Sequence, residues 1–468
     1  MSVRASLKCS LALAAVLFVA GHAASAQQSI QPRMGEPLAG LTTQQLDRFN
    51  LGKAVFTETF TAAEGLGPIF NAENCAHCHL FPAGGASSKV VTRFGVAATG
   101  TTPFDPLTSL GGSLLQAESI NSPTCQEVIP SQANVIVQRI TPPLMGFGLV
   151  EAILDGDILA NSVFPPPGVN GVVSLVQPLE DPPGTLRVAR FGWKDQQATL
   201  LSFSADAMLN EMGITNRFLP AENAPNGNQA LLAQCDSVPD PEDPTDSQGY
   251  TKTDRATDFM KFLAPPPQTP RSGMTGEALF NGIGCAACHL SVPFLTSPAA
   301  EPGLQNLPVR AYSDFLLHDM GTLGDGIVQG AATEHLMRTA PLWGMYLRGK
   351  IALLHDARAG GSSFAVNVAT AINDHDGEGL ASRNAFAALS SVQQAQIVGF
   401  LNSLGRAEFD WDGNLAIDAS DWLALQPLLT GPGNFLTPDD PAALADFDQN
   451  GSFDLVDFGW LQRAYTGP

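Results

Sequence analysis

Basic residues are scarce: 24 Lys+Arg stand against 45 Asp+Glu, a formal net charge of −21 over 468 residues. Such a chain lacks the clustered Lys and Arg that binding nucleic-acid phosphates requires. Charged residues of both signs make up only 15%, so no long stretch reads as a disordered polyampholyte. Seven cysteines are too few for a disulfide-built scaffold. No segment approaches about 18 uninterrupted apolar residues, which excludes a membrane span in the mature chain. Glycine (45) and proline (35) are plentiful, so much of the chain should be loop around a modest number of helices.

The first 26 residues have the form of a secretory signal. Arg4 and Lys8 precede the apolar run Leu11 to Ala20, and Ala24-Ser25-Ala26 offers an A-x-A cleavage site before Gln27. Cys9 lies ahead of the apolar run, where a lipoprotein acylation cysteine would follow it. The mature chain is therefore expected to be exported, periplasmic or extracellular. Of the six remaining cysteines, Cys125 and Cys235 stand alone; in an oxidising compartment they either pair or remain as buried thiols.

The other four fall in two pentads, Cys75-Ala76-His77-Cys78-His79 and Cys285-Ala286-Ala287-Cys288-His289. Each is C-x-x-C-H, the signature of covalent c-type haem attachment. Two thiols one helical turn apart can each add to a vinyl group of one porphyrin, and the adjoining histidine then meets the iron. A thioredoxin-like dithiol would want a β-α-β setting, and no Val/Ile strand leads into either pentad. A four-cysteine zinc site would need both pairs in one small module. The expected cofactors are thus two haems c, held by Cys75, Cys78, His79, Cys285, Cys288 and His289, with His77 a solvent-side spacer.

The sixth position of each iron decides function: His or Met on both leaves an electron carrier, whereas an open position admits peroxide. Past the second pentad lie four histidines. His318 and His355 each precede an aspartate at the end of an apolar run, a setting in which the carboxylate orients the ring; both are candidates for catalysis. His375 follows an Ala/Val-rich helical stretch, Phe364 to Ile372, and His335 reads as surface.

These residues, with Leu66-Gly67-Pro68-Ile69-Phe70-Asn71, Pro142 to Ile153, Arg190-Phe191-Gly192-Trp193-Lys194, Met212 to Asn216 and Arg338 to Gly344, resemble the dihaem oxidoreductase family, relatives of bacterial dihaem cytochrome c peroxidases. The resemblance covers most of residues 40–405. It implies a mainly α fold with two cytochrome c-like haem domains carrying long loop insertions. One haem would relay electrons while the other meets substrate. By position it implies His375 as an axial ligand, in place of the peroxidases' methionine. Glu151, in a family-like Gly-Leu-Val-Glu-Ala-Ile helix start, is the candidate acid/base for peroxide cleavage. Ala357 stands where the family has glycine after His-Asp. Trp193 and Trp343 are candidates to lie between or beside the haems.

The chain after residue 407 changes character. Asp446, Asp448, Asn450, Asp454 and Asp457 fall at positions 1, 3, 5, 9 and 12 of a calcium-binding EF-hand register, with Gly451 at 6. An earlier copy runs Asp410, Asp412, Asn414, Asp418, Asp421, with Leu415 in the glycine position. Aspartate at position 12 and the paired spacing resemble dockerin type I repeats, which implies calcium and a cohesin-like partner.

The expected organisation is a signal peptide (1–26), a first haem domain with insertion (27–264), a second (265–407), and a dockerin-like EF-hand module (408–468). Residues 237–249 read as an acidic, proline-rich surface loop, Ala256 to Leu263 and the amphipathic Ser391 to Leu404 as the closing helices of the two units, and Pro265-Pro266-Pro267 with Pro270 as a stiff linker. The favoured function is a peroxidase-like dihaem oxidoreductase fed by an electron-donor protein or small reductant. The alternatives are an electron-transfer cytochrome with both irons six-coordinate, and a redox module whose main biology is localisation through its C-terminal repeats.

Overall fold

The computed structural model describes residues 29–431 and 435–467; the expected signal segment, with Cys9, lies outside the described residues. Helices predominate, and the strands form five two-stranded antiparallel sheets among the described residues. No helix among those residues is long and apolar enough to cross a membrane.

Two helix pairs organise the chain. The first joins Thr43–Thr57 to Lys252–Phe262. Both begin with a capping box, Thr42 with Gln45 and Thr251 with Asp254, which satisfies amide groups the first turn leaves without partners. They cross at Gly52, where a Cβ would run into the Arg255 carbonyl and the Phe259 amide. Phe49 and Phe56 flank the crossing and pack on Phe259 at centroid distances of 5.3 and 4.7 Å. The second pair repeats this: Thr275–Gly282 crosses Ser391–Ser403 at Gly276, against the Gln396 carbonyl, with Phe280 packed on Phe400 at 5.4 Å. The expected closing helices, Ala256 to Leu263 and Ser391 to Leu404, match these second members to within a few residues.

The largest sheet pairs Val90–Gly95 with Val135–Ile140. Its end is tied to the second half of the chain, because the Ile140 amide donates to the His355 carbonyl at 2.7 Å. One large core runs across both halves, from Phe49 and Phe259 through Phe191 to Trp343 and Tyr346. A second surrounds Phe280, Tyr312 and Phe400, and residues 409–461 have a small core of their own around Phe409, Phe447 and Phe453.

The proline-rich acidic stretch 237–249 is not merely a surface loop. Glu242 and Asp243 turn inward and are buried. Glu242 accepts from the Thr215 amide at 3.1 Å, and Asp243 accepts from the Lys252 amide at 2.7 Å, at the start of the helix Lys252–Phe262. Placing negative charge at that N-terminus matches the helix dipole.

Cys125 and Cys235 form a disulfide, with Cα atoms 6.1 Å apart and 110 residues between them. It ties the loop before Val135–Ile140 to the short helix Gln229–Cys235. Cross-linking so long a loop stabilises chiefly by restricting the unfolded chain. Replacing both cysteines by serine is expected to cost about 2–5 kcal/mol in urea denaturation while leaving the haem absorption spectrum unchanged.

Candidate functional site

Each pentad is a tight turn. Asn74 caps the first, its side chain accepting from the His77 amide at 2.7 Å, and the turn Cys75–Cys78 follows. The second opens on Gly284 at φ +89 and continues as the turn Cys285–Ala287. In both, the histidine amide donates to the carbonyl of the first cysteine at 3.0 Å. Neither pair closes as a disulfide. Burial pushes Cys75 and Cys285 up to about 12 and Cys78 to about 11, so the thiols stay protonated.

Each pentad opens onto a cavity. The second cavity, about 400 Å3, is lined by Cys285, Cys288, His289, His318, His355 and His375 among others. His289 Nδ1 meets the Tyr312 carbonyl at 2.9 Å and His375 Nδ1 meets the Ala371 carbonyl at 2.7 Å. Both Nδ1 atoms are thereby fixed as donors, and each Nε2 is left with a free lone pair. Burial lowers both histidines, His289 to about 4, so they are neutral. Their ring centroids lie 6.5 Å apart. Imidazole binds a divalent metal at about 2 Å, which puts two rings on opposite sides of one ion roughly 6 Å apart between centroids. The donor set and spacing therefore fit a haem held between His289 and His375. Arg338 and Arg348, buried in the same lining, are cations suited to propionates.

The first cavity, about 190 Å3, is lined by Cys75, Cys78 and His79. His79 Nδ1 lies towards the Pro142 carbonyl without meeting it at full hydrogen-bond geometry. Burial lowers His79 to about 4. No second histidine lines this cavity. The helix Leu200–Met212 presents Asp206, Met208, Glu211 and Met212 to it, with Arg93, Arg139 and Met260 nearby, and its last turn is tied to the chain before the pentad by the Asn71 and Ala72 amides, which donate to the Glu211 carbonyl. Burial raises Glu211 to about 6, against the hydrogen bond from the Asn71 side chain at 2.8 Å. Burial raises Asp206 too. Arg93 Nε is buried without a hydrogen-bond partner.

Trp193 lines both cavities. Its indole N–H donates to the Ile140 carbonyl at 2.9 Å, and its ring meets His355 edge-on at 6.2 Å. His355 is buried, and burial lowers it to about 4. It thus forms part of the partition between the cavities. Ala357, in the family's glycine position, holds φ +63, so the turn is kept at a cost of about 1–2 kcal/mol.

Two sequence candidates stand in settings that their neighbours along the chain did not show. His318 has both ring nitrogens occupied, Nδ1 by Glu378 at 2.8 Å and Nε2 by Asp314 at 2.9 Å. Burial opposes its charge, but Asp314 and Cys288 outweigh it and push His318 up to about 11. In this structure neither ring nitrogen is left without a carboxylate partner. Glu151 lines neither cavity; its carboxylate accepts from the Leu200 amide at 2.7 Å and caps the helix Leu200–Met212. The acid on the cavity side is Glu211, at the far end of that helix. The available signal was two acids, Asp206 and Glu211, in a mainly apolar helical run. Trp343 lines the second cavity alone, and His77 and His335 are exposed.

In the C-terminal loops, carboxylate oxygens of Asp410, Asp412 and Asp421 lie within 4.8 Å of one another, as do those of Asp446, Asp448 and Asp457. Asp418 and Asp454 cap the helices Ala419–Leu425 and Leu455–Ala464. Leu415 takes the left-handed turn at φ +70, as Gly451 does at +85. Burial and the neighbouring Asp421 raise Asp410 to about 6, and burial raises Asp457 to about 6. These all-oxygen donor sets suit a hard cation. Asn414 and Asn450 each pair with the preceding aspartate of their own loop.

The raised Glu211 carboxyl gives stability a defined pH dependence. The folded chain keeps this proton up to about pH 6, whereas the unfolded chain releases it near 4.5. Its contribution is therefore present below pH 4.5 and lost as pH rises through 6. Relative to the unmodified protein, Glu211→Gln is expected to gain about 2 kcal/mol between those limits, read from urea midpoints at a series of pH values.

A family model described as "Di-haem oxidoreductase, putative peroxidase" matches residues 116–404, which take in the second pentad and begin after the first. A search of curated proteins returned no match. The match spans more than half of the chain, and the chain belongs to the di-haem oxidoreductase family.

Proposed function

We propose that the protein is an exported, peroxidase-like oxidoreductase with two covalently bound haems c, in which the first cavity reacts and the second stores and relays electrons. The difference between the two cavities carries this reading. One offers a histidine pair at 6.5 Å; the other offers a single histidine and a half-buried acid near pKa 6 in the same lining.

Bound haem supplies an iron that accepts electrons and engages the oxidant. The chain does the rest. Glu211, oriented by Asn71, takes a proton from one peroxide oxygen and returns it to the other, and a carboxyl near pKa 6 is suited to both directions at neutral pH. Arg93 adds positive charge to the same cavity. Trp193, common to both cavities, offers the route for electrons between them. His289 and His375 would hold the second haem between them, and a histidine pair would give it a lower potential than His/Met ligation.

A specific observation favours the electron-carrier alternative: Met208, Met212 and Met260 all line the first cavity, and a thioether on that iron would close it. An absorption spectrum of the reduced protein with and without carbon monoxide decides between them. A carbon monoxide shift from one haem supports the peroxidase reading. Two haems that both ignore carbon monoxide overturn it in favour of the carrier. Under the peroxidase reading, Glu211→Gln should lower kcat with hydrogen peroxide by 10²–10⁴-fold, while Glu151→Gln should leave it within a factor of a few. His375→Ala should convert the second haem from low to high spin, visible by electron paramagnetic resonance.

For the C-terminal module we propose two bound calcium ions, one in each loop, supported by two matching oxygen sets in register. Leu423, Leu455 and Val456, all exposed, would remain available to a cohesin-like partner.

A further inference from the structure

The contacts that seat residues 408–467 on the redox body fall in two places, around the first acidic loop and at Asp439, which accepts from the Thr275 amide at 3.0 Å at the start of the helix Thr275–Gly282. Glu408, only 2% exposed, pairs with Arg271 at 2.7 Å and accepts from the Gln31 side chain at 2.8 Å. Arg406 donates to the carbonyls of Asp410 and Trp411 at 3.2 and 3.0 Å, the first two residues of the loop. Arg33 donates to the Leu415 carbonyl at 3.1 Å, and the Leu415 side chain packs on the main core. At the fourth loop position Gly413, at φ +72, lies so close to the Tyr346 hydroxyl that a Cβ would overlap it.

Tyr346 links this seam to the haem side. It is buried, its amide donates to the Leu404 carbonyl at 2.8 Å, and it belongs to the helix Met345–Ile351. Met345 and Arg348 of that helix line the second cavity. Among the described residues the second loop meets the redox body through Phe447, beneath the Arg271 guanidinium at 5.6 Å. The two loops are alike in register and unlike in what they touch.

We propose that residues 408–467 are an intramolecular brace, in which the first loop, seated on Tyr346, couples its own ordering to the wall of the second haem cavity, while the second loop serves the module's own fold. The inference rests on the calcium reading given above. A cation in the first loop fixes Asp410, Asp412 and Asp421, and with them the backbone at Gly413 and Leu415 that meets the redox body. Binding that depends on the seated loop stabilises whatever the loop is seated on, and a ligand of one site then biases the other by linkage.

The test uses the full-length holoprotein, calorimetric titration with calcium, thermal unfolding followed at the Soret band, and the reduction midpoint of the second haem with calcium or with a chelator. The unmodified protein should bind two calcium ions. At calcium about a hundredfold above Kd its haem-bearing transition should rise by about 5 °C or more, and the second midpoint should move. Asp412→Asn should abolish both responses, whereas Asp448→Asn should keep them. Gly413→Ala, which removes no carboxylate and keeps the amide that donates to Asp410, should still bind two ions yet lose the response of the second haem. Equal effects from Asp412→Asn and Asp448→Asn would overturn the brace, as would two bound ions with no effect on the haem signals. Zero binding stoichiometry would overturn the calcium reading and the brace with it.

Discussion

Each cavity depends on two helices crossing closer than any side chain would permit. Gly52 lies on the backbone of Arg255 to Phe259 and Gly276 on that of Gln396, so the helix before each pentad is held directly against the one that closes its unit. The crossing determines what stands behind each histidine: Phe56 lies 6.0 Å from the His79 ring and Phe280 lies 6.4 Å from the His289 ring. With the rings backed by aromatics, the free nitrogens point into the cavities. Any residue larger than glycine at position 52 or 276 would part the helices and loosen the ring behind which the site is built.

Much of this was legible in the sequence, because covalent attachment demands a fixed spacing and amphipathic closing helices have a fixed period. The pentads, the helices around 256–263 and 391–404, and the stretch Phe364 to Ile372 that precedes His375 were all readable locally. The acid in the first cavity was not. Glu151 and Glu211 stand at opposite ends of one helix, the first capping its N-terminus and the second projecting from its last turn. Which end meets the cavity depends on how Leu200–Met212 lies over a pentad more than 120 residues earlier, and no local pattern encodes that. His318 misled for a similar reason. The neighbouring Asp319 was the visible carboxylate, but its partners are Asp314 and Glu378, the latter 60 residues away.

The partition between the cavities shows how an acidic chain manages charge in its interior. Asp325 is almost fully buried and pairs with both Arg139 at 2.6 Å and Lys194 at 3.1 Å. Burial would raise its pKa, yet the two cations hold it below the ordinary carboxylate range. Removing Asp325 would leave two buried cations without their counter-charge, a loss on the order of 3–5 kcal/mol. Lys194 adjoins Trp193, and Arg139 adjoins Ile140, whose carbonyl receives the Trp193 indole. The ion cluster thus anchors both strands of backbone that position the tryptophan, whose indole meets the Ile140 carbonyl and whose ring meets His355.

The C-terminal loops make the complementary point. Their register is a sequence property, and two copies of it predict two equivalent sites. Equivalence ends where the loops meet the rest of the chain. Leu415 replaces the glycine that Gly451 keeps, and accepts a left-handed backbone worth about 1–2 kcal/mol of strain. A glycine there would relieve the strain but could not pack on the main core as Leu415 does. The departure from the motif is therefore explained by the seam it serves: the side chain that is wrong for an isolated calcium loop is right for one seated on the redox body.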